Sequence, residues 1–192
     1  MTTDTLEKPA KVAMNGVDVP TLLGTISAVG AQPVAAQFQF RANGAWINGT
    51  HSQATINGFF GAGQEHARPA DFVAEGDHPA VLCGGDNAPT PVEYLLSALA
   101  ACITAGIANI ASARQIKLNA VNVNVEGDID LQGLLGLDNE VRNGFQKIRA
   151  TVQIDGDADA EKLAKVVSQS IARSAVFDML KNGTDVSVEL AA

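Results

Sequence analysis

An α+β architecture is expected for this chain, and three features of the sequence predict it. Short alternating segments before about residue 75 read as strands, an uncharged stretch over residues 94–113 reads as a long helix, and strand patterns and then helix patterns fill the remainder. At 192 residues the chain has the length of one domain, and folding can bury roughly 70% of its extended surface, so neither a metal nor a disulfide is needed as a staple. Hydrophobic residues make up 46% and charged residues 18%, which is a globular composition and not that of a disordered chain.

The elements follow in order. Residues 1–16 read as a polar, poorly ordered start. Leu22, Leu23, Ile26 and Val29 predict a short amphipathic helix over residues 17–30, with Asp18 as its cap, Pro20 in its first turn and Pro33 closing it. Gln37-Phe38-Gln39-Phe40-Arg41 alternates as a half-buried strand, and Asn43-Gly44 is a hairpin-turn signal leading to strands near residues 45–47 and 54–56. Residues 61–71 read as loop, residues 72–74 as an edge strand, and Gly84-Gly85-Asp86-Asn87-Ala88-Pro89 as a strong break. Thr90-Pro91-Val92-Glu93 supplies a cap, a first-turn proline and the glutamate of a capping box, opening a helix that runs to about residue 114. Strands are expected over residues 121–125 and 146–154, separated by an excursion over residues 129–143. Asp157, Asp159 and Glu161 suit the start of a further helix carried by Leu163, Val166, Val167 and Ile171. A shorter helix over residues 174–180 ends at Asn182-Gly183, and residues 186–190 alternate as a closing strand.

Lys plus Arg number 13 against 21 Asp plus Glu, a net charge of −8 whose field repels phosphate backbones, so nucleic acid is not an expected partner. Residues 94–113 have the length of a membrane span, but Ser97, Thr104, Asn109, Ser112 and many alanines weaken insertion, and no membrane association is expected. A helix apolar on every side is otherwise buried on every side, at the centre of a domain or of a dimer interface. Met1-Thr2-Thr3-Asp4 shows no basic segment followed by an apolar run, so no signal peptide and a cytoplasmic location are expected. Two cysteines, Cys83 and Cys102, are too few for a secreted disulfide scaffold.

The run from Pro79 through Val81-Leu82-Cys83-Gly84-Gly85-Asp86-Asn87-Ala88-Pro89-Thr90-Pro91-Val92-Glu93-Tyr94-Leu95-Leu96, followed by Ala98-Leu99-Ala100-Ala101-Cys102, resembles the OsmC/Ohr family. Ser174-Ala175-Val176-Phe177 before Asp178-Met179-Leu180 resembles its second signature. The resemblance spans about residues 35–190, so residues 1–34 read as an N-terminal extension with a short helix and residues 35–192 as the family's domain. It implies antiparallel strands around a long buried central helix in an intertwined homodimer. It also implies reduction of organic hydroperoxides by a cysteine pair assisted by an Arg and a Glu, with no cofactor. On this chain the peroxide-attacking cysteine matches Cys102, the resolving cysteine falls on Phe177, the glutamate position is Val92, and Arg68 is the matching arginine. Glu93, next to Val92, is the available carboxylate, but it points about 100° away around the helix.

Cys102 is therefore the principal catalytic candidate, with Arg68 and Glu93 beside it, and Val92, Gly106 and Phe177 are the candidates for lining a substrate site. A thiol attacks peroxide as thiolate and needs a cation or a helix N-terminus to lower its pKa. Cys102 lies roughly 16 Å into its own helix, too far for that helix's dipole, so activation is expected from Arg41, Arg68 or Arg173. Gly106, one turn on, leaves room for a substrate or for close packing. The competing reading of Cys102 is a small buried residue of an Ala-rich helix. Cys83 is a candidate substitute for the missing second thiol, or an ordinary free thiol. Glu93 is equally explained as the helix cap. His51, His66 and His78 lack ligand spacing, so no metal site is expected.

Besides a stress-associated structural protein with no pocket chemistry, two functions of different kind follow. One is a thiol-dependent hydroperoxide reductase working through Cys102 alone, with a sulfenic acid restored by an external thiol. The other is a binding protein that holds a small apolar molecule in a dimer-interface cleft with Phe177 filling the second-cysteine position.

Overall fold

The computed structural model describes residues 11–191, and the reading of residues 1–10 as a polar start lies outside them. The chain divides into two compact units, one of residues up to 23 together with those from 98 onward, the other of residues 24–97. The architecture is mixed α+β with antiparallel sheets.

In the 24–97 unit, β1 (Asn43–Asn48), β2 (His51–Ile56) and β5 (Phe72–Gly76) form an antiparallel sheet in the order β1-β2-β5. The expected edge strand at residues 72–74 is therefore present as β5. Asn43-Gly44 is not the turn. Both residues pair within the ladder, Asn43 with Thr55 and Gly44 with Ala54. The chain reverses instead at Gly49-Thr50, with Gly49 at φ +56° and the Trp46 indole donating to its carbonyl at 3.0 Å. The stretch read as loop contains a second hairpin, β3 (Phe59–Gly61) with β4 (Gln64–His66). The expected strand at residues 37–41 is reduced to a single bridge between Gln39 and Phe60.

The helix α1 (Val19–Ala31) starts where Asp18 accepts from the Thr21 amide at 3.0 Å, as the capping residue read from sequence should. The preceding residues are not loose. Met14 and Val17 pair, and the Asn15 amide side chain donates to the Ile116 carbonyl (2.9 Å) and accepts from the Leu118 amide (2.9 Å).

The second helix, α2 (Pro91–Ala113), opens with Glu93 accepting from the Thr90 amide at 2.7 Å. The Thr90 hydroxyl oxygen is buried without a hydrogen-bond partner, so only the glutamate half of the capping box forms. The helix closes in a Schellman arrangement with Gln115 left-handed at φ +57° and the Ile116 amide on the Ala111 carbonyl. Leu99, Ile103, Ile107 and Ala111, each four residues apart, are its buried stripe, while Val92, Tyr94 and Leu95 near its start are exposed. It is long and apolar enough to cross a membrane by length and composition, a test that core helices also pass.

The strands β6 (Leu118–Asp128) and β7 (Lys147–Gly156) form a long antiparallel pair in which Val121, Val123 and Val125 oppose Ile154, Val152 and Ala150. Between them lies the short α3 (Leu131–Leu134). The helix α4 (Ala160–Ala172) is capped by Asp159, and Leu163 and Val166 join the α2 stripe and Ile116 in one core cluster, against which the β6 and β7 valines pack. Last comes α5 (Ala175–Asn182), with Gly183 beyond its end at φ +78°. The closing strand expected at residues 186–190 does not form, and Val186, Val188 and Leu190 stand exposed.

Candidate functional site

Cys102 sits on α2 one residue before the buried Ile103, so its sulfur is half-buried at the edge of the core stripe. What it meets there is the beginning of α5. Ser174, only 4% exposed, donates its hydroxyl to the Cys102 sulfur at 3.1 Å and accepts from the Phe177 amide at 3.2 Å. The Ser174 carbonyl takes the first helical bond, from the Asp178 amide at 3.0 Å. Two amides of the first turn remain, those of Ala175 and Val176, and both favour the thiolate form of Cys102. The sulfur thus completes the N-terminus of a helix to which Cys102 does not belong.

The electrostatics follow from this geometry. Burial pushes the Cys102 thiol up, but the Ser174 hydroxyl and the Val176 and Ala175 amides favour the thiolate, and the thiol lies below its ordinary value. No arginine is among these causes. The groups that favour the thiolate belong to the start of α5 and not to the cysteine's own helix.

The other candidate residues are placed as follows. Gly106 faces α4: a Cβ there would lie 2.3 Å from the Ser170 hydroxyl oxygen. Of its two readings, close packing is the one realised. Phe177 is in the first turn of α5 and packs, partly buried, on the core cluster. The side chain against the Cys102 sulfur is Ser174, which sequence reasoning took as the first residue of the helix and not as a site residue. A serine at a helix start, just before Ala175-Val176-Phe177, is the signal that was available for it.

Arg68, Val92 and Glu93 belong to the 24–97 unit. The Arg68 guanidinium lies over the Phe59 and Phe72 rings, 5.5 Å and 5.1 Å from their centroids. Val92 is partly exposed in the first turn of α2, and the Glu93 carboxylate is engaged as the cap. Arg41 forks onto Glu65, and Arg173 closes α4 with its amide on the Ser170 carbonyl. Both cysteines are free thiols, Cys83 exposed.

Two histidine rings have structural partners, His51 contacting Glu75 at 3.2 Å and His66 bonding the Gly61 carbonyl and stacking on Phe59, while the His78 backbone amide donates to Asp77. Among the described residues no group of three or more His, Cys, Asp or Glu is placed to hold a metal.

The most strongly held carboxylate is Asp77, 1% exposed. It accepts from the Thr50 hydroxyl (2.6 Å), the His78, Gly85 and Asn87 amides, and the Asn87 side chain (2.7 Å). The Thr50 hydroxyl first, and then Asn87 and His78, hold its pKa far below the usual carboxylate range against the opposing effect of burial. Cys83 and His51 share a recess of about 280 Å³ with Asp77, but a carboxylate so fully bonded is a loop anchor and not a base. A second, apolar groove of about 420 Å³ lies between β7 and α4, lined by Val152, Ile154, Leu163, Val167 and Ile171; Cys102 does not line it.

The family model described as OsmC-like protein matches residues 84–189. No curated protein matches the sequence. Among solved structures, an OsmC-like protein of Mycoplasma pneumoniae is similar at a TM-score of 0.56 and 16% identity, over 74% of this chain and 87% of that one. An organic hydroperoxide resistance protein of Legionella pneumophila, also described as a redox protein, gives 0.51 and 14% over 78% and 94%. One from Elizabethkingia anophelis gives 0.50 and 13% over 76% and 90%. At these identities the likeness establishes a common fold.

Proposed function

Because the chain belongs to the OsmC-like family, we propose that it is a stress-response protein that reduces organic hydroperoxides at Cys102 alone. The observation that carries this reading is the Ser174 hydroxyl on the Cys102 sulfur at 3.1 Å, at the start of α5, whose Val176 and Ala175 amides also favour the reactive thiolate. In the first step an electron pair of the sulfur forms a bond to the terminal oxygen of the hydroperoxide. The O–O bond breaks, and the alkoxide takes a proton from water to leave as alcohol. Cys102 becomes a sulfenic acid. A small external thiol condenses with it to a mixed disulfide and water. A second external thiol then releases the Cys102 thiol and departs with the first as a disulfide. The cycle suits a reducing cytoplasm, where we place the protein.

With dithiothreitol as the external thiol, the wild-type protein is expected to consume cumene hydroperoxide, and Cys102→Ser to lose nearly all of that consumption. Equal turnover by the two proteins, or none by either, would reject the assignment.

The reading includes a homodimer. Trp46, Phe40 and Phe72 are 74%, 69% and 61% exposed, and Val92, Tyr94 and Leu95 are uncovered at the start of α2. Soluble monomers seldom leave so many large apolar groups in water, and an obligate interface commonly buries more than about 2,000 Å². Sedimentation at micromolar concentration is expected to give the mass of a dimer, and a stable monomer would contradict it.

A second reading, an apolar-ligand carrier, is favoured by the groove between β7 and α4. Binding of a fluorescent fatty acid, undiminished in Cys102→Ser and abolished by Val167→Asp, is its expected signature.

A further inference from the structure

The hydroxyl of Ser174 has one proton and is held from both sides. Its oxygen accepts the Phe177 amide as the cap of α5, and its oxygen–hydrogen bond is directed at the Cys102 sulfur, 3.1 Å away. The residue is buried, its own amide is bonded to the Ile171 carbonyl at 3.1 Å, and its carbonyl takes the Asp178 amide. The backbone around the hydroxyl is therefore fixed by the end of α4 and the beginning of α5. A hydroxyl so placed costs no further ordering when it donates to an anion. On the adjoining helices of the same unit charged side chains are either missing or exposed. The α2 helix has none from residue 94 to residue 113. On the facing segment, Arg173 and Asp178 are both exposed, as are Glu161, Lys162 and Lys165 on α4, and Lys165 is paired with Glu161.

We propose that Ser174 is the positioning residue of the reactive thiol: pinned by the cap it makes on α5, its hydroxyl donates its one hydrogen bond to the Cys102 sulfur and favours that sulfur as the attacking anion at the start of α5. The proposal deepens the peroxide reading of Cys102, on which its catalytic meaning rests.

The test follows Cys102 ionisation directly, in a Cys83→Ser background, through the pH dependence of iodoacetamide alkylation. Ser174→Ala is expected to move the midpoint up by about one unit, which is roughly a tenfold loss of alkylation rate at neutral pH. Ser174→Asp keeps an acceptor for the Phe177 amide but has no proton to give and adds a like charge, so its midpoint should move up further. Ser174→Thr, which keeps the hydroxyl, should restore the wild-type profile. If Ser174→Ala does not fold, Ser174→Asp, which keeps the cap, gives the answer. Profiles of Ser174→Ala and Ser174→Asp that superimpose on wild type would overturn the proposal. Ser174→Cys treated with diamide should form a bridge to Cys102, seen by peptide mapping, and its absence would show that the two side chains do not meet. Hydroperoxide consumption is measured separately. Variants that shift as described, with a wild type that consumes no peroxide, would reject the peroxidase reading and leave the role of Ser174 standing.

Discussion

Gly106→Leu is expected to cost about 1–3 kcal/mol or more, the usual penalty for overpacking a filled core. At this chain length about 1–3 kcal/mol is a fall in melting temperature of roughly 2–12 °C. The reason is local. Even a methyl group at position 106 would lie 2.3 Å from the Ser170 hydroxyl oxygen and 3.2 Å from its Cβ. Ser170 is 1% exposed and donates to the Ile103 carbonyl at 2.8 Å, so it cannot yield without leaving a buried hydroxyl unpaired. Gly106→Ala should therefore also destabilise, and Ser170→Gly should suppress part of its effect, giving a non-additive pair in a double-mutant cycle. Thermal melts of the four proteins check this. An unchanged melting temperature for Gly106→Leu would show that α2 and α4 are not in contact at this point.

The second large effect is expected at Asp77. Asp77→Ala removes the common acceptor of the Thr50 hydroxyl, the His78, Gly85 and Asn87 amides and the Asn87 side chain. These donors hold the turn around Gly84, where a Cβ would lie 1.8 Å from the His78 carbonyl oxygen and no side chain can be accommodated. The variant should be cut by protease between residues 77 and 87 under conditions that leave wild type intact. Asp77→Asn, which retains only part of the acceptor capacity, should be cut at an intermediate rate. The pH dependence has a definite sign. The folded carboxylate has a lowered pKa, so its contribution is fully present above the unfolded value of about 3.9 and is lost progressively as pH falls below it. Wild type should thus become protease-sensitive in this loop upon acidification, and Asp77→Asn should show less change with pH over that range. Equal sensitivity of wild type and Asp77→Ala at neutral pH would remove Asp77 as the anchor.

The long helix was legible in the sequence because its punctuation is local: Thr90, Pro91 and Glu93 open it and no charge interrupts residues 94–113. The β6 and β7 strands were legible for a similar reason, since valines alternating with asparagines leave one face apolar. Reversals and edges were less so. Asn43-Gly44 has the composition of a turn but was drawn into the ladder opposite Ala54 and Thr55, because pairing with β2 is decided across the sheet and not within the dipeptide. Residues 186–190 alternate as a strand should, yet alternation offers a face and not a partner, and they are left unpaired. At the candidate site, Cys102 could be named from its motif, but Ser174 could not be joined to it. The two are separated by 72 positions, and only the packing of α4 and α5 against α2 brings them together.

The sulfur that closes the first turn of α5 makes the end of the chain a readout of the thiol's chemistry. Whatever the helix amides do to the sulfur, the sulfur does in equal measure to the helix. Since the thiol pKa is lowered in the folded protein, the thiolate adds stability that is complete above the unfolded thiol value of about 8.5 and fades as pH falls through the lower folded value. Alkylation or oxidation of Cys102 changes the charge that the Ala175 and Val176 amides favour. Those two amides should then exchange with solvent at a rate set by the sulfur's state, so that deuterium uptake at the start of α5 reports what has happened to a residue on a different helix.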